Sequence, residues 1–573
     1  MALSTSGKKM KDNFFLVVFT TALLSSLSAN GENSIRLSDA HKMAVNRQRR
    51  IIFQDDVNCP GMPFTTTNLA PEQIDDSVNF YMSRLDAAGN QIDSVWYEWG
   101  EGNIAYWSSK ILPQCREVFP RLWEAGLDPV KLLLEGAKKR GREVFFSYRV
   151  NGSDNGIGEF KSPMKVDHPE WLIRLWHDFW DFSFKGVRDH KVAILQEVAE
   201  LYDFDGISID YARVPVLFPE GTQWKHRNDL TDFMRRTRLA LLEVGKKRGR
   251  PLLLAARVPE NLIGCHFDGL DVETWAREKL VDIFVIGVRS SNVDIAAFRR
   301  ITAGTGIKIY PSFDDHHSSD GYYEPAVEVW RAVASNWWQQ GADGIHTFNL
   351  VFPDPKASAK LGFTHGFSSR PEKWRRLKQV NQDIGSVATL AEKDKLFYVQ
   401  RRGGGHGERV FPNPENWSTP RHMYFNTNML APLPATLDND GKADTLLTLS
   451  VGDNIAAQPE KLRSLTLRLL LSDPAAENLA KEQSISRALV VGSMRKHRLY
   501  TIAPARDIVK KIELRINNLL LQEPRAESGW LLFDINPRQL AVGENLIGVR
   551  VKDRDSDIKP LVIEKLELSV LYR

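Results

Sequence analysis

Short, continuous apolar runs alternate with longer amphipathic stretches from about Arg49 to Asn349. Continuous rather than alternating apolar content is typical of parallel strands that are covered on both faces. Seven such runs predict strands, and they begin at Gln91 (QIDSVWYEW), Arg142 (REVFFSYRV), Phe204 (FDGISIDY), Pro251 (PLLLAARV), Val281 (VDIFVIGV), Ile307 (IKIYPSF) and Gly341 (GADGIHTF). An eighth strand is expected near the run RRIIFQDD.

The stretches between these runs have helical periodicity. Between Ile194 and Tyr202 the apolar residues recur at i, i+1, i+4, i+7 and i+8, which predicts an amphipathic helix. Asp167 is expected to cap a helix that Pro169 opens. Repeated strand–helix units over about 300 residues favour an eight-stranded (β/α) barrel of the TIM type. No G-x-G-x-x-G motif opens the first helix, which disfavours a dinucleotide-binding sheet.

The pattern changes at about Lys393. From there apolar and polar residues alternate, as at Leu447, Leu449 and Val451, and turn sequences such as DNDGK separate the runs. This alternation is typical of an antiparallel β-sandwich. The sequence therefore predicts an α/β chain in which a TIM-like barrel over residues 31–392 precedes a β-sandwich accessory domain over residues 393–573.

The first 30 residues have the pattern of a secretory signal peptide. Lys8, Lys9 and Lys11 precede an apolar run from Phe14 to about Leu27, and small residues follow. The run is short for a membrane span, so we expect export to the periplasm or the extracellular space. A retained membrane anchor is the alternative.

Composition narrows the class of protein. The chain has 573 residues, of which 42% are hydrophobic and 26% charged, and a net charge of +4 with both signs interspersed. This distribution disfavours a nucleic-acid partner. Cys59, Cys115 and Cys265 permit at most one disulfide and have no zinc-motif spacing. The sequence implies no cofactor and, once the signal segment is removed, no membrane partner; it leaves the oligomeric state open.

Asp210 ends the predicted strand FDGISIDY. TIM-barrel enzymes place their chemistry at the C-terminal ends of the strands, and an unpaired buried carboxylate is costly. Asp210 is therefore a candidate catalytic carboxylate, with Arg213 as its expected partner. A purely structural Asp210–Arg213 ion pair is the alternative. Asp203 and Asp205 are expected to serve the lower end of the strand.

The motif D-G-x-x-x-D in this strand resembles the α-amylase class, in which the second aspartate is the nucleophile. The segment VRDHKVAILQEVAELYDFDGISIDYAR looks more closely like the glycosyl hydrolase-like ten group and its relatives, as do DHPEWL, GLDVETWAREKLVDI and GADGIHTFN. This resemblance covers roughly Arg49 to Asn349. It implies a TIM-like barrel with a carbohydrate substrate. The chain departs from the group after SYRVN, where Gly152 follows and Asp154 comes only later.

A glycosidase needs a second carboxyl group. Glu98, Glu101, Glu260, Asp314 and Asp315 all follow or end predicted strands. Glu260 and Glu101 rank first, because a flexible glutamate after a strand reaches a ligand easily. The sequence thus predicts a secreted glycoside hydrolase for a poly- or oligosaccharide.

Other polar and aromatic residues near the strand ends are candidates for substrate binding. Aromatic rings stack on sugars, and arginine suits a carboxylate or sulfate. The candidates are Trp99, Arg149, Asn151, Tyr211, Arg213, Arg257, Asp314, Asp315, His316 and Asn349.

Two further hypotheses stay open. The barrel can be a non-catalytic glycan-binding module that has lost its acid. Less favoured is a metal-dependent barrel hydrolase or deacetylase that uses the run Asp314–His317, since metal barrels gather histidines from several strands and only His346 is an obvious second contributor.

Overall fold

The structure is a computed structural model, and it describes residues 35–57, 70–100, 102–152, 162–175, 177–287, 289–315, 321–322, 324–350, 354–362, 370–402, 431–475, 504 and 506–573. The predicted signal segment therefore lies outside the described residues. None of the described helices is long and apolar enough to cross a membrane.

Eight parallel strands close into a barrel in the order β1, β2, β3, β6, β7, β8, β9, β10. Their bounds are β1 Ile51–Asp56, β2 Ile92–Glu98, β3 Glu143–Arg149, β6 Gly206–Asp210, β7 Leu253–Val258, β8 Ile283–Ile286, β9 Lys308–Asp314 and β10 Ile345–Phe348. A short antiparallel hairpin, β4 Leu172–Arg174 and β5 Asp178–Trp180, lies between β3 and β6. The seven predicted strands and the eighth, expected near RRIIFQDD, are all barrel strands, so the predicted fold class is confirmed.

Helices pack around the barrel because their apolar faces cover the outward-facing side chains of the strands. Their bounds are α1 Asp39–Val45, α2 Ile74–Met82, α3 Pro120–Glu124, α4 Pro129–Lys138, α5 Pro163–Asp167, α6 Lys185–Leu201, α7 Arg227–Lys247, α8 Leu262–Phe267, α9 Val272–Arg277, α10 Ile295–Ile301, α11 Val327–Gln339, α12 Pro355–Lys360, α13 Pro371–Asp383 and α14 Val387–Leu390. The predicted stripe falls on α6 up to Leu201 and buries Ile194, Leu195 and Val198, whereas Leu201 is exposed and Tyr202 follows the helix. The expected N-cap role of Asp167 is wrong: Asp167 is the last residue of α5, and His168 precedes the next turn.

The C-terminal region is a β-sandwich of two antiparallel sheets. Its strands are β11 Lys395–Tyr398, β12 Ala435–Thr436, β13 Thr445–Val451, β14 Leu462–Ser472, β15 Ile512–Ile516, β16 Leu519–Leu520, β17 Arg525–Glu527, β18 Trp530–Asp534, β19 Gly543–Val551 and β20 Val562–Tyr572, with a one-turn helix α15 Arg506–Val509. One sheet has the order β11-β20-β14-β18-β17 with β12 beside β20, and the other the order β13-β19-β15-β16. The alternating apolar residues of both sheets face each other in one core, which includes Leu449, Leu467 and Leu568.

The interior of the barrel changes from apolar to polar along its axis. Trp96 and Phe145 stack with their ring centroids 4.7 Å apart, and Leu253 and Tyr310 join them in one buried cluster. Gly206 stands in register with Phe145, and a Cβ there would lie 2.2 Å from the ring. The apolar layer therefore leaves no room for a side chain at Gly206, and its buried residues fill the barrel below the C-terminal ends of the strands.

Candidate active site

Above the apolar layer, the C-terminal ends of the strands carry inward-facing polar side chains. Side chains alternate between the two faces of a strand. Ile207 and Ile209 pack outward into the core between barrel and helices, so Ser208 and Asp210 face the interior. Glu98 and Asp56 stand in register on β2 and β1, and Glu98 also pairs in register with Ser147.

Asp210 is paired with an arginine, but not with the one that sequence reasoning favoured. Nη1 of Arg257 lies 3.2 Å from Oδ2 of Asp210, and both side chains are fully buried. Asp210 and Arg257 are register partners on β6 and β7. Arg213 donates only its backbone N–H to Oδ1 of Asp210, at 2.9 Å. The expected Asp210–Arg213 ion pair is therefore replaced by a cross-strand pair, which sequence spacing does not reveal.

A hydrogen-bonded chain continues from Asp210 across the barrel. Nη2 of Arg257 donates to Oγ of Ser312 at 3.3 Å, and Ser312 Oγ lies 2.9 Å from Nδ1 of His346. Nε2 of His346 lies 3.0 Å from Oε1 of Gln54. Burial, followed by the charge of Arg257, lowers the pKa of His346 well below its usual value, so this imidazole is neutral at pH 7. These hydrogen bonds connect β6 to the strands β7, β9, β10 and β1 inside the barrel.

Glu98 is the second carboxyl group of the interior. Its Oε2 accepts a hydrogen bond of 2.8 Å from Ser147, and its side chain is buried. The pKa of Glu98 is raised to about 8, chiefly by burial and also by the charges of Asp56 and Asp210, against the opposing effects of Arg149 and the Ser147 hydrogen bond. Glu98 is therefore a protonated acid at neutral pH, close to two other carboxyl groups.

The pKa of Asp56 is shifted in the opposite direction to that of Glu98. Burial raises its pKa, but Arg149, whose Nη2 lies 2.7 Å from Oδ1, and the amide of Asn349 lower it more, so the net pKa lies below the usual value. Asn349 donates to Oδ2 of Asp56 at 3.0 Å and accepts from the Asp56 N–H at 3.2 Å. Asn349 adopts a φ of 54°, a conformation that costs energy outside glycine and recurs at functional sites.

The structure thus brings together Asp210, Arg149, Arg257 and Asn349 from the sequence candidates. Asp314 belongs to the same group, because Nε of Arg289 lies 2.9 Å from its Oδ2 and its charge acts on Arg257. Arg213 is close enough to lower the pKa of Asp56.

Three other binding candidates are packing residues. Trp99 contacts Tyr97 and Phe119 in the core between barrel and helices. Tyr211 packs on Trp275, and its hydroxyl lies 2.9 Å from Sδ of Met234. The side-chain amide of Asn151 bonds the backbone of Trp180. All three side chains are buried in these contacts. The local sequence does not show whether a residue at a strand end points into the barrel or outward.

The structure also changes the ranking of the candidates for the second carboxyl group. Glu260 lies two residues beyond β7 and acts electrostatically on Cys265, in α8, rather than on Glu98. Glu101 and His316 lie outside the described residues. Glu98, which ranked below both glutamates in the sequence, is a described acid whose raised pKa reflects the charge of Asp210.

The run Asp314–Asp315 does not form one ligand set. Asp314 faces Arg289 inside the barrel, whereas Asp315 contacts Arg376 of α13 at 2.8 Å and Lys373 at 3.0 Å. Consecutive residues on a strand point to opposite faces, so the two carboxylates cannot converge on one ion. No cluster of three metal-ligating side chains occurs in the part of the chain that the structure describes.

Four polar residues of the barrel interior are not among the candidates from the sequence: Gln54, Asp56, Ser208 and Ser312. The acidic pair that ends RRIIFQDD was the available signal for Asp56, because it closes a predicted strand as Asp210 does.

The chain is similar to several solved glycoside hydrolases. A match to α-L-fucosidase isoenzyme 2 from Paenibacillus thiaminolyticus has 13% identity and a TM-score of 0.40, and it covers 61% of this chain and 51% of that one, so this chain spans about half the length of that relative. The PgaB glycoside hydrolase domain from Bordetella bronchiseptica matches at 13% identity and a TM-score of 0.37, over 56% of this chain and 100% of that one. The endo-beta-1,4-mannanase from Thermotoga petrophila matches at 9% identity and a TM-score of 0.41, over 91% and 98%. No family model and no curated protein matches the chain.

Proposed function

We propose that this protein is an exported glycoside hydrolase that cleaves an oligo- or polysaccharide with two carboxyl groups. Asp210 acts as nucleophile or base, and Glu98 acts as general acid. The observation that carries this proposal is the buried, protonated Glu98, on whose pKa the charge of Asp210 acts, at the C-terminal end of a closed barrel. Carboxyl groups whose environments differ in this way are the pattern of acid–base catalysis on sugars.

Each residue then has a defined role in the reaction. Glu98 donates its proton to the oxygen of the leaving sugar as the glycosidic bond breaks. Asp210 either attacks the anomeric carbon or removes a proton from the water that does so. Arg257 holds the Asp210 carboxylate in place through the cross-strand ion pair, and the chain from Ser312 to Gln54 fixes Arg257.

The test is reducing-sugar release from a panel of polysaccharides, comprising a neutral glucan, a uronic-acid polymer and a sulfated galactan. Purified mature protein is compared with Asp210→Asn, and both are checked for equal melting temperature. We expect release by the wild type on at least one polymer and a loss of about 1000-fold or more in the variant. Binding of a glycan by both proteins without cleavage by either would show that the barrel is a binding module.

A further inference from the structure

Three buried polar atoms face the barrel interior without a hydrogen-bond partner in the described structure. They are Nε2 of Gln54 on β1, Oε1 of Glu98 on β2 and Oγ of Ser208 on β6. All three side chains are at most 1% exposed. A buried polar group without a hydrogen-bond partner is unfavourable, so these three interior atoms indicate that a polar ligand binds there.

The barrel interior below these atoms is filled by protein side chains. Trp96, Phe145 and Leu253 fill the layer below, and the Arg257–Ser312–His346–Gln54 chain crosses the barrel beside it. A polymer cannot pass through this floor. A sugar that reaches Asp210 and Glu98 must therefore enter from the C-terminal face and stop there.

The two carboxyl groups are themselves buried. Asp210 and Glu98 are both 1% exposed, and Arg257 is 0% exposed. An enzyme that cleaves inside a polymer needs an open cleft, in which the chain continues on both sides of the reacting carboxyl groups. Buried carboxyl groups above a closed layer instead suit the end of a glycan chain, whose last ring offers its hydroxyl groups to the three unsatisfied atoms.

On the basis of the proposed function, we infer that Gln54, Ser208 and Glu98 form a blind subsite for the terminal sugar of the glycan. The enzyme is therefore exo-acting and releases monosaccharides from the chain end. The amide of Gln54 donates to a sugar hydroxyl oxygen, and the Ser208 hydroxyl donates to or accepts from another. Glu98 directs Oε1 towards the glycosidic oxygen while Ser147 holds Oε2.

The first experiment uses hexasaccharides labelled with 2-aminobenzamide at the reducing end, prepared from each polymer of the panel. We expect the first labelled product to be the pentasaccharide, together with free monosaccharide. Labelled dimers to tetramers from the earliest time point would overturn the inference and leave the hydrolase proposal standing. No cleavage of any polymer or hexasaccharide would overturn both.

The second experiment tests the subsite itself with Ser208→Ala. Ser208 Oγ bonds no described protein group, so its removal should leave the melting temperature unchanged or raise it. The kcat/KM for the hexasaccharide should fall about 10-fold or more, because a hydrogen bond to the sugar is lost.

Thr237→Val is the matched control, since Thr237 is also a buried hydroxyl without a described partner but lies on α7, outside the interior. Thr237→Val should leave kcat/KM unchanged. An unchanged kcat/KM in Ser208→Ala would overturn the subsite.

Discussion

At the scale of single residues, the properties of the site depend on which side chains are buried together. Glu98 and Asp56 are register partners, yet burial raises the pKa of one and a close guanidinium lowers that of the other. The sequence favours Glu260 and Glu101 over Glu98, because a glutamate in a loop after a strand reaches a ligand easily. The proton affinity of a carboxyl group depends instead on its burial. The burial of Glu98 and the pairing of Asp210 with Arg257 depend on the tertiary fold. Neither can be predicted from the residues next to them in the sequence.

Glu98→Gln should abolish proton donation and lower kcat by about 100-fold or more on a substrate with a poor leaving group. In the wild type, kcat should fall as the pH rises through about 8, because Glu98 then loses its proton. Steady-state pH profiles measure both effects. An alkaline limb that persists unchanged in the residual activity of Glu98→Gln would contradict this assignment.

The same pKa shift has an effect on stability. The folded-state pKa of Glu98 is about 8 and its ordinary value is 4.5, so the native state holds a proton that the unfolded chain releases between these values. Stability is fully present below about 4.5 and is lost as the pH rises through about 8. Glu98→Gln should therefore gain more in melting temperature, relative to the wild type, at pH 8 than at pH 5. An equal difference at both pH values would show that Glu98 is ionised in the fold.

At the scale of elements, α13 is attached to β9 by charge. Asp315 at the end of β9 accepts from Arg376 at 2.8 Å and pairs with Lys373, and Lys373 also contacts Glu324 at 2.8 Å. Burial raises the pKa of Asp315, but Arg376 and Lys373 lower it more, to about 2. This cluster holds the helix against the strand that carries Asp314 into the interior.

Asp315→Asn should destabilise the protein by about 1.5–3 kcal/mol at pH 7, since it removes the carboxylate shared by the buried Lys373 and the partly buried Arg376, while Lys373 keeps Glu324. The depressed pKa makes this stability present above about 3.8 and lost as the pH falls through about 2. The gap between wild type and variant should therefore narrow in acid. Denaturant unfolding at pH 7 and pH 3 measures it, and a gap that stays constant would contradict the ion-pair account.

The secondary-structure elements of this protein were more predictable from the sequence than the contacts of single side chains. Each barrel strand lies within its apolar run, apart from β9, which extends one residue further to Asp314, because strands covered on both faces are largely apolar. The alternation at Leu447, Leu449 and Val451 falls on β13 for the complementary reason, since only one face of that strand is buried. The direction in which Trp99, Asn151 and Tyr211 point was not predictable, because it depends on the position at which each strand ends.

At the scale of the whole molecule, the barrel and the sandwich share a buried polar junction. Asp453 accepts from Lys395 of β11 at 2.7 Å, from Ser335 of α11 at 2.6 Å and from Tyr572 of β20 at 2.8 Å. Gly452 beside it has no room for a side chain, since a Cβ would lie 2.4 Å from the backbone of Ser335. The two domains are thus packed tightly at this point.

Asp453→Ala should destabilise the protein by about 3–5 kcal/mol, because the fully buried ammonium of Lys395 loses its carboxylate. Asp440→Ala is the control, since Asp440 pairs only with the exposed Lys442 and its loss should change little. Thermal unfolding of both variants measures the difference. Equal melting temperatures would show that the junction contributes nothing.

The hydrogen bonds between Asp56 and Asn349 join the first barrel strand to the end of the last, across 293 residues of chain. During synthesis at about 5–20 residues per second, Asn349 leaves the ribosome roughly 15–60 seconds after Asp56. Until then β1 has an unpaired edge, and the carboxylate of Asp56 has no amide to hold it. The nascent barrel is therefore an open sheet whose polar interior does not yet exist, and its β1 edge is exposed to other chains while these 293 residues are made.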